Sequence, residues 1–96
     1  MRLTFTTPLE EHAHGRATIL LVHVPDDECD LLLDLPVMRG GFGSIKVDAT
    51  IGRTTWRTSV FPDKGGYLLL VSRKVANAES LSVGAPTKVA LALVAA

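Results

Sequence analysis

The stretch from Ile45 to Lys74 leaves few folds open. Ile45, Val47, Ala49 and Ile51 alternate with Lys46, Asp48 and Thr50. A period of two sends successive side chains to opposite faces, so this is a strand with one buried face. Gly52-Arg53 follows, and glycine in first place fits a two-residue type II′ hairpin turn, which needs a positive φ there. Thr54–Phe61 returns as the antiparallel partner. Trp56, Thr58 and Val60 share one of its faces; Thr55, Arg57, Ser59 and Phe61 share the other. Pro62-Asp63-Lys64-Gly65-Gly66 is a second turn signal. Tyr67–Val71 is a further apolar strand.

The flanks extend this pattern. Arg2–Thr7 alternates, with Leu3 and Phe5 on the buried side, and Pro8 ends it because proline gives no N–H to a ladder. Leu9–Arg16 is polar and reads as a loop or an irregular strand edge. Ala17–Val24 is a near-continuous apolar run of strand length, expected at the centre of a sheet. Pro25 opens a helix, Asp26, Asp27 and Glu28 suit the positive end of its dipole, and Cys29, Leu32 and Leu33 form its apolar face. Pro36 stops it. Val37–Ser44 is a glycine-rich connector. Ser72 is placed to cap a second helix over Arg73–Leu81, with Val75 and Ala78 inward. Ser82–Pro86 is a loop, and Lys88–Val94 is a last strand whose outer face carries Ala90 and Ala92. An apolar strand, a short helix, a glycine-bearing loop and an alternating strand that starts Lys-Val therefore occur twice. That grammar suggests two interlocked halves of one barrel.

The chain has 96 residues, which indicates a single domain over 1–96. Ten acidic and ten basic side chains cancel, which argues against nucleic-acid binding through an overall field. Cys29 is the one cysteine, so no internal disulfide forms. The N-terminal MRLTFTTPLEEH lacks the apolar stretch of a signal peptide, and no apolar run nears the roughly 20 residues of a membrane helix. The expectation is a soluble cytoplasmic protein.

Several residues bear on family membership together: Val24-Pro25, Val47–Ile51 with Gly52, Thr58-Ser59-Val60-Phe61-Pro62, Gly66-Tyr67-Leu68-Leu69-Leu70-Val71, and Val83-Gly84 before the final strand. In these the chain resembles the bacterial family called domain of unknown function 1905, over roughly Leu3 to Val94. The resemblance implies a double-split β-barrel of about six strands capped by two short helices, an architecture shared with AbrB/MazE-type transcription factors and antitoxins. The matched positions are turn and core residues, so they carry fold and no chemistry.

Candidate sites are few. His12-Ala13-His14 beside Glu10 and Glu11 has metal-ligand character, but no third ligand has motif spacing, so a solvated loop is the expectation and no metal or cofactor is assigned. His23 ends an apolar strand and reads as a satisfied, partly buried histidine. Cys29 could be a nucleophile at a helix start, but acidic neighbours and an apolar face make it an inert buried thiol. Arg39, Gly40, Gly41, Gly43 and Ser44 resemble an anion-cradling loop, in which glycine N–H groups turn toward a phosphate. The order helix-then-strand is the reverse of a phosphate loop. Arg53, Arg57, Arg73 and Lys74 are the residues for a nucleic-acid surface, should they cluster on one face.

No nucleophile–base ordering, paired carboxylates or nucleotide motif is present, so the expectation is a non-enzyme. The reading is a mainly β, small closed or pseudo-closed barrel acting as a binding or interaction module. Its expected partner is another protein, with no membrane, as a monomer or homodimer. Nucleic acid bound by an AbrB-like barrel and a small anion bound at the glycine loop are the alternatives.

Overall fold

A computed structural model describes residues 2–34, 43–64 and 66–94, with the side chains of residues 31–34 outside the described set. Seven strands and two helices follow in order: β1 (Arg2–Pro8), β2 (Glu10–His14), β3 (Ala17–His23), α1 (Asp26–Asp34), β4 (Ile45–Ile51), β5 (Thr54–Asp63), β6 (Gly66–Val71), α2 (Arg73–Ala78) and β7 (Pro86–Leu93). All pairings are antiparallel, in one curled sheet of order β1-β7-β4-β5-β6-β3-β2.

The strand count corrects the expected six. The additional strand is β2, which lies in the segment read as a loop or irregular edge. It pairs with β3 from Glu10↔Leu21 to His14↔Ala17. The barrel is also open. β1 and β2 are the two edges of the ladder, yet only Leu9 separates them in the chain. The ends of the sheet are joined by covalent backbone, not by hydrogen bonds between strands. Leu9 is 1% exposed, donates its N–H to the Ala85 carbonyl at 3.2 Å and accepts from the Gly84 N–H at 2.7 Å.

Alternation sets the core. Leu3, Phe5, Leu20, Val22, Ile45, Val47, Ala49, Ile51, Val60, Leu69, Val89 and Leu91 face inward and are buried together. Burying each larger aliphatic side chain is worth about 1.5–3 kcal/mol, so these ladders carry much of the stability. α1 closes one end of the curl and contacts β6. Cys29 lies on its buried side, and its thiol donates to the Val24 carbonyl at 3.2 Å. The capping of α2 by Ser72 holds: its hydroxyl accepts from the Val75 N–H at 3.2 Å. The helix is shorter than the expected Arg73–Leu81, since it ends at Ala78 with Glu79 as its C-cap. Val75 and Ala76 are its buried pair; Ala78, expected inward, is exposed, because the turn over Glu79 and Ser80 redirects the chain toward Leu81.

Candidate functional site

The site is made by a mismatch in strand length. β5 has ten residues and β6 has six. Along its first part, Thr54 to Val60, β5 pairs with β4; only Val60–Asp63 pair with β6. On the other side, β6 pairs with β3 through Leu20–His23, and Ala17–Ile19 pair with β2 alone. β6 then stops at Val71 and the chain turns into α2. Beyond Val71 the lane between β5 and β3 holds no strand among the described residues.

A cleft of about 730 Å³ fills this lane. Thr54, Trp56 and Thr58 form one wall, Thr18 and Leu20 the other, and Val71, Val75 and Ala78 the apolar floor. Arg73 and Lys74 stand at the rim. Trp56 is half-buried and packs against the core, as its alternating position predicts. Leu70, at 40% exposed, lies at the outer lip.

The four basic residues singled out above divide. Arg73 and Lys74 meet at the cleft. Arg73 donates to Thr18 Oγ1 and to Glu11 Oε2, the latter at 3.4 Å, so it reaches across to β3 and β2. Lys74 has no ion-pair partner among the described residues. Arg53 sits in the β4–β5 turn beside Thr54, and its backbone N–H bonds Glu79 Oε1 at 3.3 Å. Arg57 does not join them. It lies on the outer face of β5 in a two-pronged pair with Asp48, at 2.6 and 3.2 Å, which holds the carboxyl below its usual range. The sequence reading missed Arg16, in the β2–β3 turn two residues before the cleft-lining Thr18. With it, Arg16, Arg53, Arg73 and Lys74 gather at one end of the molecule against Glu11 and Glu79. The unequal lengths of the strands on either side of Pro62–Gly66 were the signal that could have revealed the cleft.

The opposite end is acidic. Glu10 and Asp63 flank His23, and α1, which carries Asp26, Asp27, Glu28 and Asp30, starts beside the β5–β6 turn. His23 spans the first two: its Nδ1 lies 2.5 Å from Glu10 Oε2 and its Nε2 3.5 Å from Asp63 Oδ2. The Glu10 bond, above all, raises the histidine's pKa, and the same bond lowers that of Glu10. His12 Nε2–H donates to Glu10 Oε1 at 2.9 Å. His12 and His23 are thus tied to carboxylates, and among the described residues no group of three or more is placed to hold a metal ion. Burial raises the Cys29 pKa, with Asp26, Asp30 and Glu28 adding to it, which disfavours a thiolate.

Of the glycine loop, Arg39, Gly40 and Gly41 lie outside the described residues. Gly43 takes φ +79 and Ser44 is buried at the start of β4. No helix among the described residues is long and apolar enough to cross a membrane.

Comparison with known proteins adds one finding. The family model described as a domain of unknown function (DUF1905) matches residues 5–91. No curated protein and no solved structure matches the chain.

Proposed function

The chain belongs to the DUF1905 family, and on that footing we propose that it is a non-catalytic binding module whose cleft receives an anionic segment of a partner protein. The observation that carries this reading is the cleft itself: an apolar floor under a rim of Arg73 and Lys74, in a chain whose total charge is zero. Apolar surface with a few placed charges is the usual make-up of a binding pocket. The split ladders also support the finer description as a double-split barrel of AbrB/MazE type. β5 divides its pairing between β4 and β6, and the continuous β1–β2 segment divides its own between β7 and β3. The lone buried Cys29 fits a reducing, cytoplasmic setting.

Affinity capture with wild type and Lys74→Glu tests the reading. The expected result is a protein retained by wild type, lost with Lys74→Glu and unaffected by nuclease. Retention by both forms would overturn it.

A second reading has its own observation. The gathering of Arg16, Arg53, Arg73 and Lys74 at one end, with Trp56 in the cleft, is compatible with a nucleic-acid strand stacked on the indole. The departure of Arg57 to Asp48 and the neutral total charge weigh against it. Binding to random duplex or single-stranded DNA at low salt, falling steeply as salt rises, is what that reading requires.

A further inference from the structure

We infer that the cleft takes its partner as an added β-strand: an extended acidic peptide that pairs with the free edge of β5 in the lane β6 leaves empty. This rests on the reading of the cleft as a protein-binding site and specifies how it binds.

Three observations converge on it. First, the edge is there. In an antiparallel strand, alternate residues turn their N–H and C=O groups to opposite neighbours. Thr54–Ser59 pair with β4 on one side and with no strand on the other among the described residues. Every second residue of this segment therefore offers a donor and an acceptor to the lane. Second, the lane follows on from a strand position. β6, which leads into it, pairs with β5 through Gly66–Leu69 and with β3 through Leu68–Val71. A peptide that enters along the direction of β6 runs antiparallel to β5, as β6 does. Third, the chemistry at the rim selects charge. Arg73 already bridges to Thr18 and Glu11, which occupies the β3 side of the lane and leaves β5 as the pairing edge. Lys74 has no ion-pair partner among the described residues and is placed to meet a carboxylate, and Arg16 and Arg53 in the flanking turns have the same sign. Backbone pairing supplies affinity in this mode, and pockets for alternate side chains supply selection. Trp56 and Val75 form the inward pocket here.

Between Thr54 and Ser59 the edge has neither proline nor an inward charge, and its one charged residue, Arg57, is turned outward to Asp48. Its inward positions are Thr54, Trp56 and Thr58, and the one proline of β5, Pro62, lies beyond, where β6 already pairs. A nucleic-acid strand would leave these backbone groups unused, so the peptide is favoured.

The test is selection from a displayed library of random short peptides against the full chain, followed by backbone N-methylation of the winner one residue at a time. Trp56 is the chain's one tryptophan, so its fluorescence reports occupancy of the cleft directly. The expected result is enrichment of acidic peptides that perturb Trp56 emission and bind Lys74→Glu more weakly. N-methylation at alternate residues then weakens binding roughly tenfold each, while the residues between tolerate it. Enriched peptides that bind in the cleft with no alternation in N-methyl sensitivity would overturn strand addition and leave the cleft as the binding site. No enriched peptide, or displacement of the winner by oligo(dT), would overturn both.

Discussion

A side chain at position 52 would collide with Glu79. Gly52 takes φ +60, and a Cβ built on it would fall 1.8 Å from Glu79 Oε1. That carboxylate is committed: it accepts from the Arg53 N–H and, at 2.7 Å, from Thr54 Oγ1. Gly15 takes φ +64 in the other Gly-Arg turn, but a Cβ there meets nothing within 4 Å. Both alanine substitutions strain the backbone, by about 1–3 kcal/mol each, and only Gly52→Ala also displaces Glu79. Urea denaturation should therefore show Gly52→Ala as the more destabilising of the two, with the excess vanishing in a Glu79→Ala background. Titration gives a second residue-level outcome. His23 has a raised pKa, so its pairing with Glu10 contributes fully below the ordinary value of about 6.5 and is lost as pH rises through the raised one. Glu10 has a lowered pKa, so its contribution is full above about 4.5 and is lost as pH falls through the lowered value. The stability attributable to the pair is thus greatest between about 4.5 and 6.5. The side chains keep 44% and 35% of their surface in solvent, so screening makes the effect modest. Chemical denaturation across pH should show a stability maximum in that window that flattens in His23→Gln.

At the level of elements, α2 acts as a strut. Ser72 caps its start, Arg73 ties it to β3, and Glu79 at its end ties it to the β4–β5 turn, so the helix crosses the foot of the cleft from one wall to the other. Removing the cap by Ser72→Ala should cost about 1 kcal/mol, measured as a lower urea midpoint with an unchanged slope. The helix has only six residues and little intrinsic stability of its own, so the same substitution should also weaken Trp56-reported binding. Much of this element order was legible in advance. Period-two alternation placed β1, β4 and β5, and the Gly52-Arg53 turn joined two of them. The hairpin of β2 and β3 was not read, although its turn has the same dipeptide, Gly15-Arg16. The difference is in the flanks: Ile51 before Gly52 is apolar and buried, whereas Glu11, His12, Ala13 and His14 are all exposed. An edge strand with both faces in solvent leaves no hydrophobic period. The cleft was missed for another reason. Its one signal is the unequal length of the strands on either side of Pro62–Gly66, and its walls of Thr18, Thr54 and Thr58 look like ordinary solvated strand positions.

On the scale of the whole molecule, charge and topology each divide the protein in two. Its neutrality hides a basic end at the cleft and an acidic end at α1, so a partner's approach should depend on salt even though the net charge is zero. The join at Leu9 holds the curl together. With 1% exposure and both backbone groups bonded to the segment before β7, Leu9→Ala should cost about 2–5 kcal/mol, read from thermal or urea unfolding, far more than an alanine at the exposed Leu70. The same join has a consequence for synthesis. β1 is made first among the elements, yet its ladder partner β7 is made last, and Leu9 finds its bonds only with Gly84 and Ala85. A nascent chain must therefore carry β1 unpaired until β7 has left the ribosome. Folding should be a late, single event of high contact order, with the first strand waiting for the final one.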